Sequence, residues 1–236
     1  MVNARVPMIL TRPEGAAEAF VKILPEELRA RLEIIHSPLL GIVPVPFSEG
    51  SDPADAAVFT SANGVRHGPP PAGRRAWCVG DATTAQARAA GWDAVGAGAD
   101  SRALVARLTR GAPAGRIVHF SGVHTRGDVA EKLAAAGLNI RRVAVYDQPL
   151  LPLSAPAQAA LGRGGPVIVP LFSPRTAAHF AAECAAPRAV RAVFLSAAVA
   201  RATGQAPFAQ QLISAWPDAQ SVIACIENLV SDARPG

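Results

Sequence analysis

This 236-residue chain has only three cysteines, a single tyrosine and an aromatic content of 5%. Cys78, Cys184 and Cys225 form no C-x-x-C pair, and an odd count makes a poor disulfide framework. Each lies in an apolar context and reads as a buried free thiol. No run of 18 apolar residues occurs, which excludes a membrane-spanning helix and a membrane partner of that kind. The N-terminal "MVNARVPMILTRPEG" lacks the long apolar core of a signal peptide, so the expectation is a cytoplasmic protein. No run of five or more basic residues and no set of aromatic platforms is present, which argues against nucleic acid as a partner.

The motif absences are equally informative. There is no phosphate-binding G-x-x-x-x-G-K-[ST], no H-E-x-x-H and no G-x-S-x-G. "GAGADS" (96–101) lacks the third glycine of a dinucleotide fingerprint. His119 and His124 lie five apart, which is not a zinc pattern, so no metal is expected. No carboxylate pair stands out. Asp81 and Asp128 read as helix-capping or first-turn residues.

What the chain does have is apolar and cationic. Half of its residues are hydrophobic and its net charge is +5, mostly from scattered arginine. A small anionic ligand suits that balance; a codon bias toward arginine accounts for it as well.

Short apolar runs alternate with helical periodicity throughout. "VPMILT", "LEIIHS", "AAVFTS", "RAWCVG", "RIVHFSG", "RRVAVY", "PVIVPLFS" and "RAVFLS" read as strands. "EGAAEAFVKILPEELRAR" has helical spacing, with Pro25 set to kink or split it. "TTAQARAAG", "SRALVARLTRG", "TRGDVAEKLAAAG" and "AQSVIACIENLV" read as helices, the third stopped by Gly137. The pattern predicts an α/β fold with parallel sheets covered on both faces.

A weak repeat runs through it. "VFTSANGV" is followed by "VGDATTAQARAAG", and "LFSPRTAA" at similar spacing by "FLSAAVARATG". Two similar modules explain this. The Pro-rich stretches 37–46 and 147–153 read as linkers, so residues 47–146 form a second domain inserted into a first built from 1–36 and 154–236.

The chemistry-bearing residues are hydroxyls at strand-to-helix junctions: Thr60, Ser61, Thr83, Thr84, Ser121, Thr125, Ser173 and Ser196. In open parallel sheets ligands bind at the carboxyl ends of strands, where helix N-termini offer unpaired N–H groups. Each hydroxyl also reads as an ordinary helix cap, worth roughly 1 kcal/mol. Their recurrence in both modules suits a polycarboxylate ligand held in one shared cleft. Tyr146, the sole tyrosine, ends a strand and can donate a proton or a hydrogen bond there. Packed rim residue is its other reading.

At these residues the sequence resembles the uroporphyrinogen-III synthase family. The supporting strings are "ILTRP", "VFTSANGV", "VGDATTAQA", "SGVHTRGDVAEKLAAAG" leading to "VAVYDQ", "LFSPRTA" and "FLSAAVARA", in the family's order and over most of the chain. The resemblance implies two three-layer α/β/α domains with flavodoxin-like strand order, joined by a two-stranded linker, the first domain discontinuous. It implies a cofactor-free, cyclising lyase of tetrapyrrole (heme) biosynthesis, acting as a cytoplasmic monomer. The substrate would be hydroxymethylbilane, a linear tetrapyrrole, dehydrated and closed with inversion of ring D.

Under that resemblance Tyr146 matches the family tyrosine that assists loss of the hydroxyl, and Thr83 the threonine of a Gly-x-x-Thr loop. Ser61, with Thr60 and Ala62 beside it, Ser173 and Ser196 match substrate-contacting positions. Arg12 and Arg126 are candidates to pair with carboxylates, or are solvated surface charges. Two departures stand out: Val199 replaces a threonine common in the family, and Pro170 interrupts a strand, which would bend it or demote it to an edge. The alternative reading is a non-catalytic two-lobed module that binds an anionic small molecule.

Overall fold

The computed structural model describes residues 5–49, 53–125 and 127–231. The chain begins with β1 (Val6–Leu10), α1 (Glu14–Lys22), α2 (Glu26–Ala30) and β2 (Leu32–His36). Next come β3 (Val43–Pro44), β4 (Ala56–Phe59), α3 (Ala62–His67), β5 (Arg75–Val79), α4 (Asp81–Ala89) and β6 (Asp93–Gly98). Then follow α5 (Ser101–Gly111), β7 (Ile117–Gly122), α6 (Val129–Ala135), β8 (Ile140–Asp147) and α7 (Ala155–Gly162). The chain closes with β9 (Val167–Leu171), α8 (Pro174–Glu183), β10 (Val190–Phe194), α9 (Ala197–Arg201), β11 (Gln210–Ile213) and α10 (Ala219–Ser231). Pro25 splits the first helical stretch as its missing N–H requires, serving as the N-cap of α2. Gly137 takes φ +91 just beyond α6, the left-handed turn that a helix stop needs.

The chain divides into two units, Met1–Gly41 with Leu150–Gly236, and Ile42–Pro149. The first holds a parallel sheet in the order β11-β10-β9-β1-β2. The second holds β3-β8-β7-β4-β5-β6, parallel except for β3, which pairs antiparallel with β8 at the edge.

Counted in chain order within each unit, the first sheet runs 2-1-3-4-5, the flavodoxin-like order. The second, with its antiparallel edge strand β3 set aside, runs 3-2-1-4-5, so the flavodoxin-like order expected of both holds only in the first. The two are nonetheless the same arrangement. If the first unit is read from β9, its order becomes 3-2-1-4-5 with β9 and β10 standing where β4 and β5 stand. The repeated strings "VFTSANGV" and "LFSPRTAA" therefore begin at equivalent strands, and the first unit is a circular permutation of the second.

Every residue of β4, β7 and β9 is buried, as strands covered by helices on both faces must be. In the second unit, Phe59, Phe120, Cys78 and Val145 pack on one face, and Val58, Ile117, Leu104 and Leu133 on the other. Each large side chain so buried contributes roughly 1.5–3 kcal/mol.

Of the two outcomes expected for Pro170, the edge strand is corrected: β9 has neighbours on both sides, with Pro170 paired to Val193 of β10. On the other side, the β1–β9 register is confined to Met8 opposite Ile168, two residues short of the position that has no N–H to give. β3, β6 and β11 were not anticipated from the sequence.

Candidate active site

In a 3-2-1-4-5 sheet the connections leave in opposite directions from the first and fourth strands, and the gap between those strands is where open α/β sheets bind ligands. In the second unit these are β4 and β7. A cavity of about 220 Å³ lies at their carboxyl ends. Thr60 and Ser61 line it from beyond β4, and Gly122, His124 and Thr125 from the end of β7. Ser101 and Tyr146 complete it from the start of α5 and the end of β8.

Local sequence explains each placement. Thr60 continues the face of Val58, two residues earlier in an extended run. Ser61 is the N-cap of α3, its Oγ accepting from Asn63 N at 3.2 Å. Gly98, at φ +147, would place a Cβ 2.4 Å from the Cβ of Ala103, so only glycine lets α5 start against β6 and bring Ser101 to the cavity.

Tyr146 owes its position to a bulge. Ser121 pairs with Ala144 but Gly122 with Tyr146, so β8 carries one extra residue. Strict alternation would put Val145 and Tyr146 on opposite faces; both belong to one apolar cluster. The ring is only 6% exposed. Its hydroxyl makes no hydrogen bond among the described residues.

Arg142 ties this rim together. Its Nε donates to Ser121 Oγ at 3.1 Å, and its Nη2 to the carbonyls of Gly122 at 3.3 Å and Val123 at 2.9 Å. His124 Nε2 lies 3.8 Å from Asp147 Oδ1. His119, next to Phe120 on β7, is 2% exposed, with Nε2 hydrogen-bonded to Thr60 Oγ1 at 3.0 Å. Burial first, and the charge of Arg142 second, push its imidazole down to about 4, so it is neutral near pH 7.

Of the residues expected from the sequence, the cavity unites Thr60, Ser61, Thr125 and Tyr146. Ala62 opens α3 beside them but does not line the cavity. Thr83 does not line it either: it is buried in the first turn of α4, past β5. Arg126 lies outside the described residues. Asp128 precedes α6 as N-cap without a side-chain bond, and Asp81 is the first residue of α4.

In the first unit the equivalent gap lies between β9 and β1. Ser173 follows β9 as the N-cap of α8, accepting from Thr176 N at 3.2 Å. Arg12 follows β1, its guanidinium carbon 4.4 Å from the centre of the Phe172 ring, and burial lowers its pKa. Ser196 caps α9 without a side-chain bond. Val199 is 2% exposed within the apolar cluster of Phe194 and Phe208, so it serves the core.

Gly122, Ser101, Arg142 and His119 were missed as site residues. The one available signal was His119, an imidazole set in an otherwise apolar strand. Among the described residues, no three His, Cys, Asp or Glu side chains group as a metal would require, and no helix is long and apolar enough to cross a membrane.

No curated protein matches the chain. Among solved structures, it is similar to uroporphyrinogen-III synthetase from Helicobacter pylori 26695, at 13% identity over 95% of this chain and 99% of that one, with a TM-score of 0.67. It also aligns with a mutant uroporphyrinogen III synthase from the extremely thermophilic bacterium Thermus thermophilus, at 18% identity over 96% and 99% of the two chains, with a TM-score of 0.49. The profile of the uroporphyrinogen-III synthase HemD family matches residues 14–224. The chain belongs to the uroporphyrinogen-III synthase family, cyclising lyases of tetrapyrrole biosynthesis.

Proposed function

We propose that this chain dehydrates and cyclises hydroxymethylbilane at the cavity of its second unit, with Tyr146 as the group that assists departure of water. The observation that carries this is the Tyr146 phenol: it lines a polar cavity and has no hydrogen-bond partner among the described residues, so its proton is available to a ligand. At about 220 Å³ the cavity is smaller than the roughly 300–1,000 Å³ of pockets that enclose whole drug-sized ligands. It suits one end of a linear tetrapyrrole rather than all four rings.

The chemistry asks little of the protein. The terminal pyrrole nitrogen pushes its electron pair toward the hydroxymethyl carbon, the C–O bond breaks, and the hydroxyl leaves as water with a proton from Tyr146. The azafulvenium cation that remains is attacked by the substituted carbon of ring D. Fragmentation and reclosure invert that ring. The proton lost as the last pyrrole regains aromaticity returns the phenol to its starting state. Thr60, Ser61 and Thr125 supply polar contacts that bind the substrate, while the cavity around Tyr146 positions the reacting carbon, which carries most of the rate. In the first unit, Arg12, Ser173 and Ser196 stand after β1, β9 and β10 as candidate carboxylate contacts. Thr83, buried in the first turn of α4 away from the cavity lining, is given no step in this scheme. The active species is taken to be a cytoplasmic monomer; sedimentation as a dimer would overturn that part.

The test is the isomer formed. Purified protein is expected to give predominantly the type III macrocycle from hydroxymethylbilane. Formation of type I alone, as in the absence of enzyme, would leave a non-catalytic anion-binding module. Tyr146→Phe is expected to lower kcat by about a hundredfold, the lower range for a positioned proton donor, with KM little changed. An unchanged kcat removes Tyr146 from the chemistry.

A further inference from the structure

One buried polar group beneath the cavity has no role in the reaction just described. His119 projects from β7, a strand buried along its whole length, and its Nδ1 has no hydrogen-bond partner among the described residues. Its Nε2 has one, Thr60 Oγ1 at 3.0 Å. Thr60 lines the cavity, and its hydroxyl makes no other hydrogen bond among the described residues.

A neutral imidazole carries one N–H, and there are two places for it. On Nδ1 it would be an orphaned buried donor, the rarer and costlier kind of unsatisfied group. Nε2 would then accept from Thr60 and consume the only proton that Thr60 has. On Nε2 the N–H donates to Thr60 Oγ1, and what is left unpaired is a lone pair on Nδ1, which is better tolerated. Thr60 Oγ1 is then already an acceptor, and its own proton has only the cavity to turn to.

We infer that His119 is a positioning residue, which by donating to Thr60 fixes that hydroxyl as a hydrogen-bond donor toward the cavity, and so selects an acceptor there, a carboxylate oxygen of the bound tetrapyrrole. This rests on the cavity's being the tetrapyrrole site. The neutrality of the embedded ring, enforced by burial and by Arg142, keeps the arrangement single: a second ring proton would have no acceptor.

Two measurements test it. The first is free of activity: ¹⁵N-histidine-labelled protein is examined by long-range ¹H–¹⁵N correlation, the His119 signals being assigned by their loss in His119→Gln. Protonation at Nε2 is expected; protonation at Nδ1 overturns the inference whatever the enzyme does. The second is kinetic. Thr60→Val and His119→Met are each expected to raise KM for hydroxymethylbilane about tenfold with kcat nearly unchanged, the scale of one hydrogen bond to a charged acceptor. The double variant is expected to be no worse than Thr60→Val alone, because the two act as one unit. His119→Gln, which can present an N–H near the Nε2 position, is expected to stay within about threefold of the unaltered protein. If Thr60→Val leaves KM unchanged while Tyr146→Phe still loses turnover, the inference fails and the cavity reading stands. If both variants behave as the unaltered protein, the cavity is not the site and both fall.

Discussion

Gly122 and Tyr146 are matched to each other across neighbouring strands. A Cβ on Gly122 would lie 2.8 Å from both Cε2 and Cζ of Tyr146 and 3.1 Å from its hydroxyl oxygen. The ring cannot swing aside freely, since it is packed in the cluster of Phe59, Phe120 and Val145. The smallest residue at the end of β7 thus sets where the phenol sits.

Gly122→Ala should therefore displace the ring and cost about 1–3 kcal/mol of stability, as overpacking does. Turnover should fall at least as far as in Tyr146→Phe. In a Tyr146→Ala background the clash has no partner, so the added destabilisation should largely vanish. Denaturant unfolding of the four proteins checks this. Equal losses in both backgrounds would mean that the ring is not what the added methyl meets.

Arg142 is expected to act through the same rim. Its three hydrogen bonds hold Ser121, Gly122 and Val123 where β7 gives way to the loop that carries His124 and Thr125. Arg142→Met keeps the apolar stem and removes the donors. Its expected cost is about 1.5–3 kcal/mol of stability, the range for hydrogen bonds involving a charged group. KM should rise together with a fall in kcat, because both the contacts and the phenol shift. An arginine that only stabilises the sheet would leave the kinetics of the folded protein unchanged.

Val199→Thr restores the residue that family resemblance leads one to expect at that position. Val199 is buried in an apolar cluster, so a hydroxyl there enters surroundings without a ready partner. The expected outcome is a loss of about 1–2 kcal/mol with no gain in kcat. Higher turnover in the threonine variant would place this side chain at substrate after all.

Much of this was legible in the residue pattern, and the failures have physical causes. Apolar runs such as "AAVFTS" and "RIVHFSG" announce themselves because a strand covered on both faces must be apolar along its length. The missed strands lack that mark. β6 is built of "DAVGAG", small residues with weak strand preference. β11 is an edge strand that alternates half-buried and exposed, and β3 is two residues long and contains proline. Strand order held in the first unit and was misjudged only in the second, because it depends on pairings between distant segments, although the repeated strings already carried the permutation. At the site, Tyr146 was legible as the lone phenol at a strand end. The bulge that turns it, and the glycine that seats it, are properties of two strands in register rather than of either sequence. Thr83 was read both as a junction hydroxyl and through the resemblance, but it is buried in the first turn of α4 and does not line the cavity.

His119 also governs how stability responds to acid. In the unfolded chain its imidazole titrates near 6.5, and in the folded chain near 4. Between those values the unfolded state binds a proton that the folded state refuses, so stability rises with pH through this window. The contribution is complete above pH 6.5 and is lost as pH falls toward 4, by about 3 kcal/mol in all. Carboxylates titrate in the same range, so the comparison with a variant isolates the ring. Urea unfolding between pH 4 and 8 should show the unaltered protein losing stability more steeply on acidification than His119→Gln, with the two curves converging in slope above pH 7. Arg142→Met should raise the folded-state value and shorten the window, because its positive charge is the second cause of the depression. Parallel curves for the unaltered protein and His119→Gln would show that the ring ionises in the folded state as readily as in water, and would remove the basis for a neutral His119 beneath Thr60.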